Sequence, residues 1–115
     1  MYNRGLVYAN KGNIDLALLD YNAALRIKSD YHEALCARGI ELGIRGEYNQ
    51  SISDFNAALK IKKNSFIALF SRGLSYYATG NYKSALADWE MVIYINPDYA
   101  AARTAIEKAR NKLGY

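Results

Sequence analysis

One pattern is written three times along this chain at a fixed interval of 34 residues. In the middle copy it runs Arg38-Gly39, Gly46 ahead of Glu47-Tyr48, Asp54-Phe55, Ala58-Leu59 and Ile61. The earlier copy reads Arg4-Gly5, Gly12, Asp20-Tyr21, Ala24-Leu25 and Ile27, and the later one Arg72-Gly73, Gly80, Asp88-Trp89, Val92-Ile93 and Ile95. A period of this size marks a stack of supersecondary units, each of which leaves an apolar face that only the next unit can cover.

Within each period the apolar residues recur at helical spacing. The first helix is expected from Met1 to about Lys11, and the second from about Asp15 to Ile27 with Leu18, Tyr21 and Ala24 (or Leu25) inward. Gly12-Asn13 is the turn, since glycine accepts the left-handed backbone that commonly ends a helix. Ser29-Asp30 makes the next break and offers a cap to the third helix, His32 to Ile44. The fourth runs from near Asn49 to about Lys62, with Ile52, Phe55 and Leu59 inward. The fifth spans Phe66 to Thr79, with Ser65 as its cap, and the sixth Tyr82 to Ile95, stopped by Asn96-Pro97. A seventh, about Tyr99 to Leu113, places Ile106-Glu107 where the Arg-Gly pair would fall. It carries one narrow apolar stripe (Ala102, Ala105 or Ile106, Ala109, Leu113) opposite a charged side, as a terminal cap needs.

The division expected is a single domain over residues 1–115: repeat one at 1–31, repeat two at 32–65, repeat three at 66–99 and a capping helix at 100–115. Repeat one is about three residues short by register and has no capping side chain, which points to a chain that starts inside a longer protein.

Composition narrows the function. With 51% hydrophobic and 23% charged residues the chain is not of the disordered type. The lone Cys36 forms no internal disulfide and the N-terminus shows no signal-peptide pattern, so a cytoplasmic setting is the expectation. No apolar run approaches the roughly 18 residues of a membrane span.

The repeat resembles the tetratricopeptide repeat, a helix-turn-helix unit of 34 residues. Gly5, Gly39 and Gly73 fill its first small slot, followed three residues later by Tyr8, Leu42 and Tyr76. Ala17, Ser51 and Ala85 take the next small slot; Tyr21, Phe55 and Trp89 the second aromatic; Ala24, Ala58 and Val92 the slot after it. Only Pro97 matches the family's proline, Ser29 and Lys63 standing elsewhere. The resemblance implies an all-α fold, a right-handed α-solenoid of antiparallel helix pairs with seven helices.

Two physical expectations accompany it. Antiparallel helices approach closely only where one side is small, so Gly39 should face Phe55. Arg4, Arg38 and Arg72 stand where the family usually has an apolar residue, and Asp20, Asp54 and Asp88 follow sixteen residues later each time. An Arg–Asp ion pair inside each hairpin explains both series better than a basic ligand-binding ladder, because the partner repeats too.

No constellation supports catalysis. His32 and Cys36, four apart on one helix face, are too few for a zinc site, and His32 is expected at a helix start beside solvent. No glycine-rich phosphate loop, metal site or cofactor site is present. Lys60, Lys62 and Lys63 cluster at a helix C-terminus, where cations complement the helix dipole. Tyr8, Tyr21 and Tyr76 occupy core slots and not base-stacking positions, which argues against specific nucleic-acid recognition.

The resemblance implies instead a protein-interaction scaffold whose first helices line a concave groove. That register selects Tyr2, Leu6, Cys36, Ile40, Ile44, Ile67, Phe70, Leu74 and Tyr77 for a partner's peptide or helical segment, with Glu33 nearly the only charge before the last helix. The Lys/Asn/Arg clamp used by chaperone-binding relatives is absent, since Tyr2, Leu6, Ala37, Ile67 and Ser71 hold the corresponding slots. The alternative is a structural segment of a longer array, or a module that self-associates through its N-terminal helix.

Overall fold

The computed structural model describes residues 1–115 as seven α-helices: α1 (Tyr2–Asn10), α2 (Ile14–Ile27), α3 (His32–Ile44), α4 (Tyr48–Ile61), α5 (Phe66–Ala78), α6 (Tyr82–Ile95) and α7 (Ala100–Leu113). Each turn between the two helices of a repeat is built the same way. Gly12, Gly46 and Gly80 adopt φ of 78°, 84° and 83°. The next residue's N–H then reaches back to a helix carbonyl: Asn13 to Tyr8 at 2.8 Å, Glu47 to Leu42 at 2.8 Å and Asn81 to Tyr76 at 2.9 Å. That closure satisfies carbonyls the helix end would otherwise leave open.

Helix starts are less uniform. Asn13 Oδ1 accepts from the Leu16 N–H and Ser65 Oγ from the Ala68 N–H, each at 3.3 Å. The cap expected from Ser29-Asp30 is not made: α3 begins one residue later than those side chains require, with Tyr31 at its N-cap and no side-chain bond.

Three hairpins form (α1 with α2, α3 with α4, α5 with α6), and each following first helix packs on the preceding second helix. α1, α3 and α5 also touch one another in sequence and form one layer. The result is an all-α helical repeat solenoid of 44 × 24 × 22 Å.

Inside each hairpin the small residue sits under an aromatic ring. A Cβ at Gly39 would lie 2.7 Å from Phe55, and one at Gly5 2.6 Å from Tyr21; Gly73 is pressed in the same way by Trp89. Trp89 also donates its indole N–H to the Phe70 carbonyl at 3.1 Å. Between hairpins the core is built from Ala24, Leu25, Ala34, Leu35 and Ala58 on one side, and from Leu69, Leu86, Trp89 and Val92 on the other. α7 buries Ala102, Ala105 and Ala109 against the last hairpin and leaves Arg103, Glu107, Lys108, Arg110 and Lys112 exposed.

Candidate functional site

The repeated Arg–Asp series forms a ladder in which each rung joins the first helix of a hairpin to its second. Arg4 donates to Asp20 at 2.8 and 2.7 Å, Arg38 to Asp54 at 2.8 and 2.7 Å, and Arg72 to Asp88 at 2.9 and 2.7 Å, each a two-pronged guanidinium–carboxylate pair. The Arg4 hydrogen bonds hold the Asp20 carboxyl below its usual range. Two rungs carry a further bond that sequence reasoning missed: Arg38 donates to Asn22 Oδ1 at 3.0 Å and Arg72 to Asn56 Oδ1 at 2.9 Å. These join each repeat to the one before it. The signal was legible, since Asn22 and Asn56 stand 34 residues apart. Every guanidinium group of the ladder is paired with a carboxylate, so the ladder offers no row of unpaired cations.

The other layer, α1–α3–α5, presents two adjoining cavities. The first, about 340 Å³, lies between α3 and α5 and is walled by Ile40, Ile44, Phe70, Leu74 and Ala78 over a floor of Gly39, Gly43, Ser71 and Ser75. Its floor is flat because Gly43 has no side chain and because Ser75 and Ser51 pair their hydroxyls at 2.7 Å beneath it. Ser51 Oγ donates to the Tyr48 carbonyl at 3.0 Å, which leaves Ser75 as the donor in that pair. The apolar rim is open: Ile44 is 65%, Leu74 49% and Ile40 37% exposed.

The second cavity, about 270 Å³, lies between α1 and α3 and shares Ile40 as a wall. Tyr2, Leu6, Tyr21, Ala37 and Ile67 complete its apolar lining, with Glu33 and Glu41 as its carboxylates. Glu41 was not among the expected groove residues. It is buried, and burial raises its pKa above the ordinary glutamate value.

Three of the expected groove residues do not stand free. Cys36 is only 5% exposed, because Tyr2 and Tyr31 pack over the cluster it belongs to; it touches the second cavity from its floor. Burial pushes its thiol up to about 11. Tyr77 is turned into α6, meeting Tyr82 edge-on and Trp89 at a tilt, with centroid distances of 5.0 and 5.8 Å. Phe70 lines the first cavity but also packs edge-on to Tyr99 at 5.3 Å, so it is half core. His32, expected beside solvent, is largely enclosed. Its Nε2 lies 2.9 Å from Ser65 Oγ and 3.6 Å from Cys36 Sγ, which ties the start of α3 to the start of α5. No group of three or more His, Cys, Asp or Glu is arranged to hold a metal ion, and no helix is long and apolar enough to cross a membrane.

Paired helices, glycine turns and a layer of first helices with an open apolar strip define a helical repeat scaffold. Family comparison agrees: models of the tetratricopeptide repeat match residues 1–31 and 66–99, and a TPR-repeat model matches 41–80. The chain belongs to the tetratricopeptide repeat family, and it is a protein-interaction scaffold of that family, not an enzyme. Comparison with curated proteins found no match. Among solved structures, the Arabidopsis OM64 TPR domain superimposes with a TM-score of 0.93 at 21% identity, over 96% of this chain and 91% of that one. The first TPR of Spaghetti (RPAP3), bound to the HSP90 peptide SRMEEVD, gives 0.96 at 20%, over 99% and 90%. YrrB, described as a TPR protein with an unusual peptide-binding site, gives 0.88 at 25%, over 92% of this chain and 55% of that one.

Proposed function

We propose that this chain binds the apolar face of a peptide or amphipathic helical segment of a partner protein in the α3–α5 cavity. Ile40, Ile44 and Leu74 are the walls that receive it, and Phe70 is its end stop. The observation that carries this reading is an open, apolar, flat-floored cavity whose side chains are exposed although the core beneath is complete without them. An exposed apolar patch of this kind marks a partner surface, and groove docking of an extended or helical segment is the mode it fits. Structural neighbours bound to peptides, such as Spaghetti with its HSP90 peptide, support a peptide as the ligand type. The acidic SRMEEVD sequence does not suit the present cavities, because neither is lined by Lys or Arg.

The test is selection of binders from a displayed library of random 12-residue peptides on the native chain, followed by titration of the winners against Ile44→Glu and Leu74→Glu. Both positions are exposed, so these variants fold. Loss of binding by about tenfold or more in each is expected. Peptides that bind both variants as tightly as the native chain would overturn the reading.

A second reading rests on α1. Met1 and Val7 are 52% and 48% exposed, whereas Leu35 and Glu41, which hold the same slots in repeat two, are 4% and 8% exposed. That face suits stacking on another helical hairpin, in a second copy or a longer array. A concentration-dependent dimer in light scattering, abolished by Val7→Glu, would support it; a monomer at high concentration would exclude self-stacking.

A further inference from the structure

The repeat position that Glu41 holds is filled in three different ways. It is Val7 in repeat one, Glu41 in repeat two and Ser75 in repeat three. Ser75 is satisfied by its bond to Ser51. Glu41 has no comparable partner: no side-chain hydrogen bond or ion pair reaches it, although the residue is only 8% exposed. A carboxylate with so little exposure and no cation beside it costs stability, and because neither of its oxygens is fully enclosed it keeps a narrow opening. Its open side is the α1–α3 cavity, which no Lys or Arg lines. Glu33, half-exposed and 3.3 Å from His32 Nδ1, adds a second carboxylate at the same cavity.

The remaining walls suit one kind of side chain. Leu6, Ala37 and Ile40 give apolar walls, and the rings of Tyr2 and Tyr21, 6.1 Å apart, line the same cavity as Glu41. Lysine and arginine have an apolar stem with a cationic head, and aromatic faces attract that head as well. We propose that the α1–α3 cavity is a subsite for a lysine or arginine side chain of the docked peptide, with Glu41 as its counter-ion and Glu33 as the acidic group that guides it in. This rests on the reading of the α3–α5 cavity as the peptide site. Because the two cavities share Ile40 and lie on either side of α3, their centres are separated by about one helix spacing. An extended peptide covers that in roughly three residues. The ligand is therefore a peptide with an apolar anchor and a basic residue about three positions away, opposite in charge to an acidic C-terminal tail.

The library selection described above separates the two proposals when the winners are sequenced and titrated against Glu41→Gln, a nearly isosteric change. Lys or Arg should be enriched at a fixed distance of about three residues from the apolar anchor. Replacing that residue by Gln in a synthetic 12-residue winner should weaken binding to the native chain by about tenfold. The same replacement should matter little against Glu41→Gln, the signature of a direct pair in a double-mutant cycle. Glu33→Gln should slow association and reduce its salt dependence, leaving dissociation nearly unchanged. Winners that depend on Leu74 but show no basic enrichment, or that bind Glu41→Gln undiminished, would overturn the basic subsite while leaving the apolar groove standing. Winners indifferent to Leu74 and Ile44, or a library that yields none, would overturn both.

Discussion

Arg38 grips Asp54 with two hydrogen bonds of 2.8 and 2.7 Å, spanning one hairpin, and spends a third on Asn22 of the preceding repeat. A single side chain thus closes its own helix pair and latches it to the neighbour. In a solenoid, where each unit touches only those adjacent to it, such a latch contributes to the interface that makes unfolding cooperative. The rungs are not equal. Arg38 and Arg72 are 27% and 22% exposed in their side chains, whereas Arg4, with no preceding helix against it, is 66% exposed.

Asp54→Ala should therefore destabilise the chain by about 1.5–3 kcal/mol, the usual range for hydrogen bonds to a charged group, because it strands a partly buried guanidinium. Asp20→Ala should cost clearly less, since water can take over Arg4. Urea denaturation of the two variants checks the order; equal losses would show that the difference in burial between Arg38 and Arg4 does not matter.

Gly39→Ala places a methyl group 2.7 Å from the Phe55 ring edge. Alanine is the better helix former, by up to about 1 kcal/mol, so an exposed site would gain stability. Here overpacking should win and cost about 1–3 kcal/mol. The measurement is the denaturation midpoint, and a double variant with Phe55→Leu should recover part of the loss.

Glu41 sets a pH dependence whose sign follows from burial. Its pKa is raised in the folded chain, so the folded state holds the proton more tightly than the unfolded one does. Below the unfolded value of about 4.3 the group is neutral in both states and costs nothing. Stability is then lost as pH rises through the folded pKa, and the full penalty applies above it. Glu41→Gln should melt higher than the native chain at pH 7, and the two should converge below about pH 4. A variant that melts lower at pH 7 would reveal a partner for the carboxylate.

Cys36 should be inert. With its thiol buried and pushed up to about 11, little thiolate exists at pH 8, and a reagent can reach it only from the floor of the α1–α3 cavity. Alkylation by iodoacetamide should be slow in the native chain and fast in 6 M guanidinium chloride, read by mass spectrometry. Fast native labelling would show that α1 opens away from α3.

The sequence by itself determined the number of helices, their pairing and their turns, because these rest on local chemistry that recurs with the period. A glycine that must take positive φ, as at Gly12, Gly46 and Gly80, announces itself wherever it stands. A small residue opposite an aromatic, as Gly39 opposite Phe55, is legible once helix pairing is known. Which groove positions are open was decided by the tertiary structure alone. Cys36, Ile40 and Tyr77 all hold first-helix slots, yet one is buried in the cluster beside Tyr2 and Tyr31, one stands free and one is packed against Trp89. Glu41 shows the same limit most plainly. In register it is equivalent to an exposed valine and a satisfied serine, and only the tertiary packing around α3 makes it a buried carboxylate lining a cavity. Periodicity records what each repeat shares; exposure depends on which neighbour lies against it, and that differs from repeat to repeat.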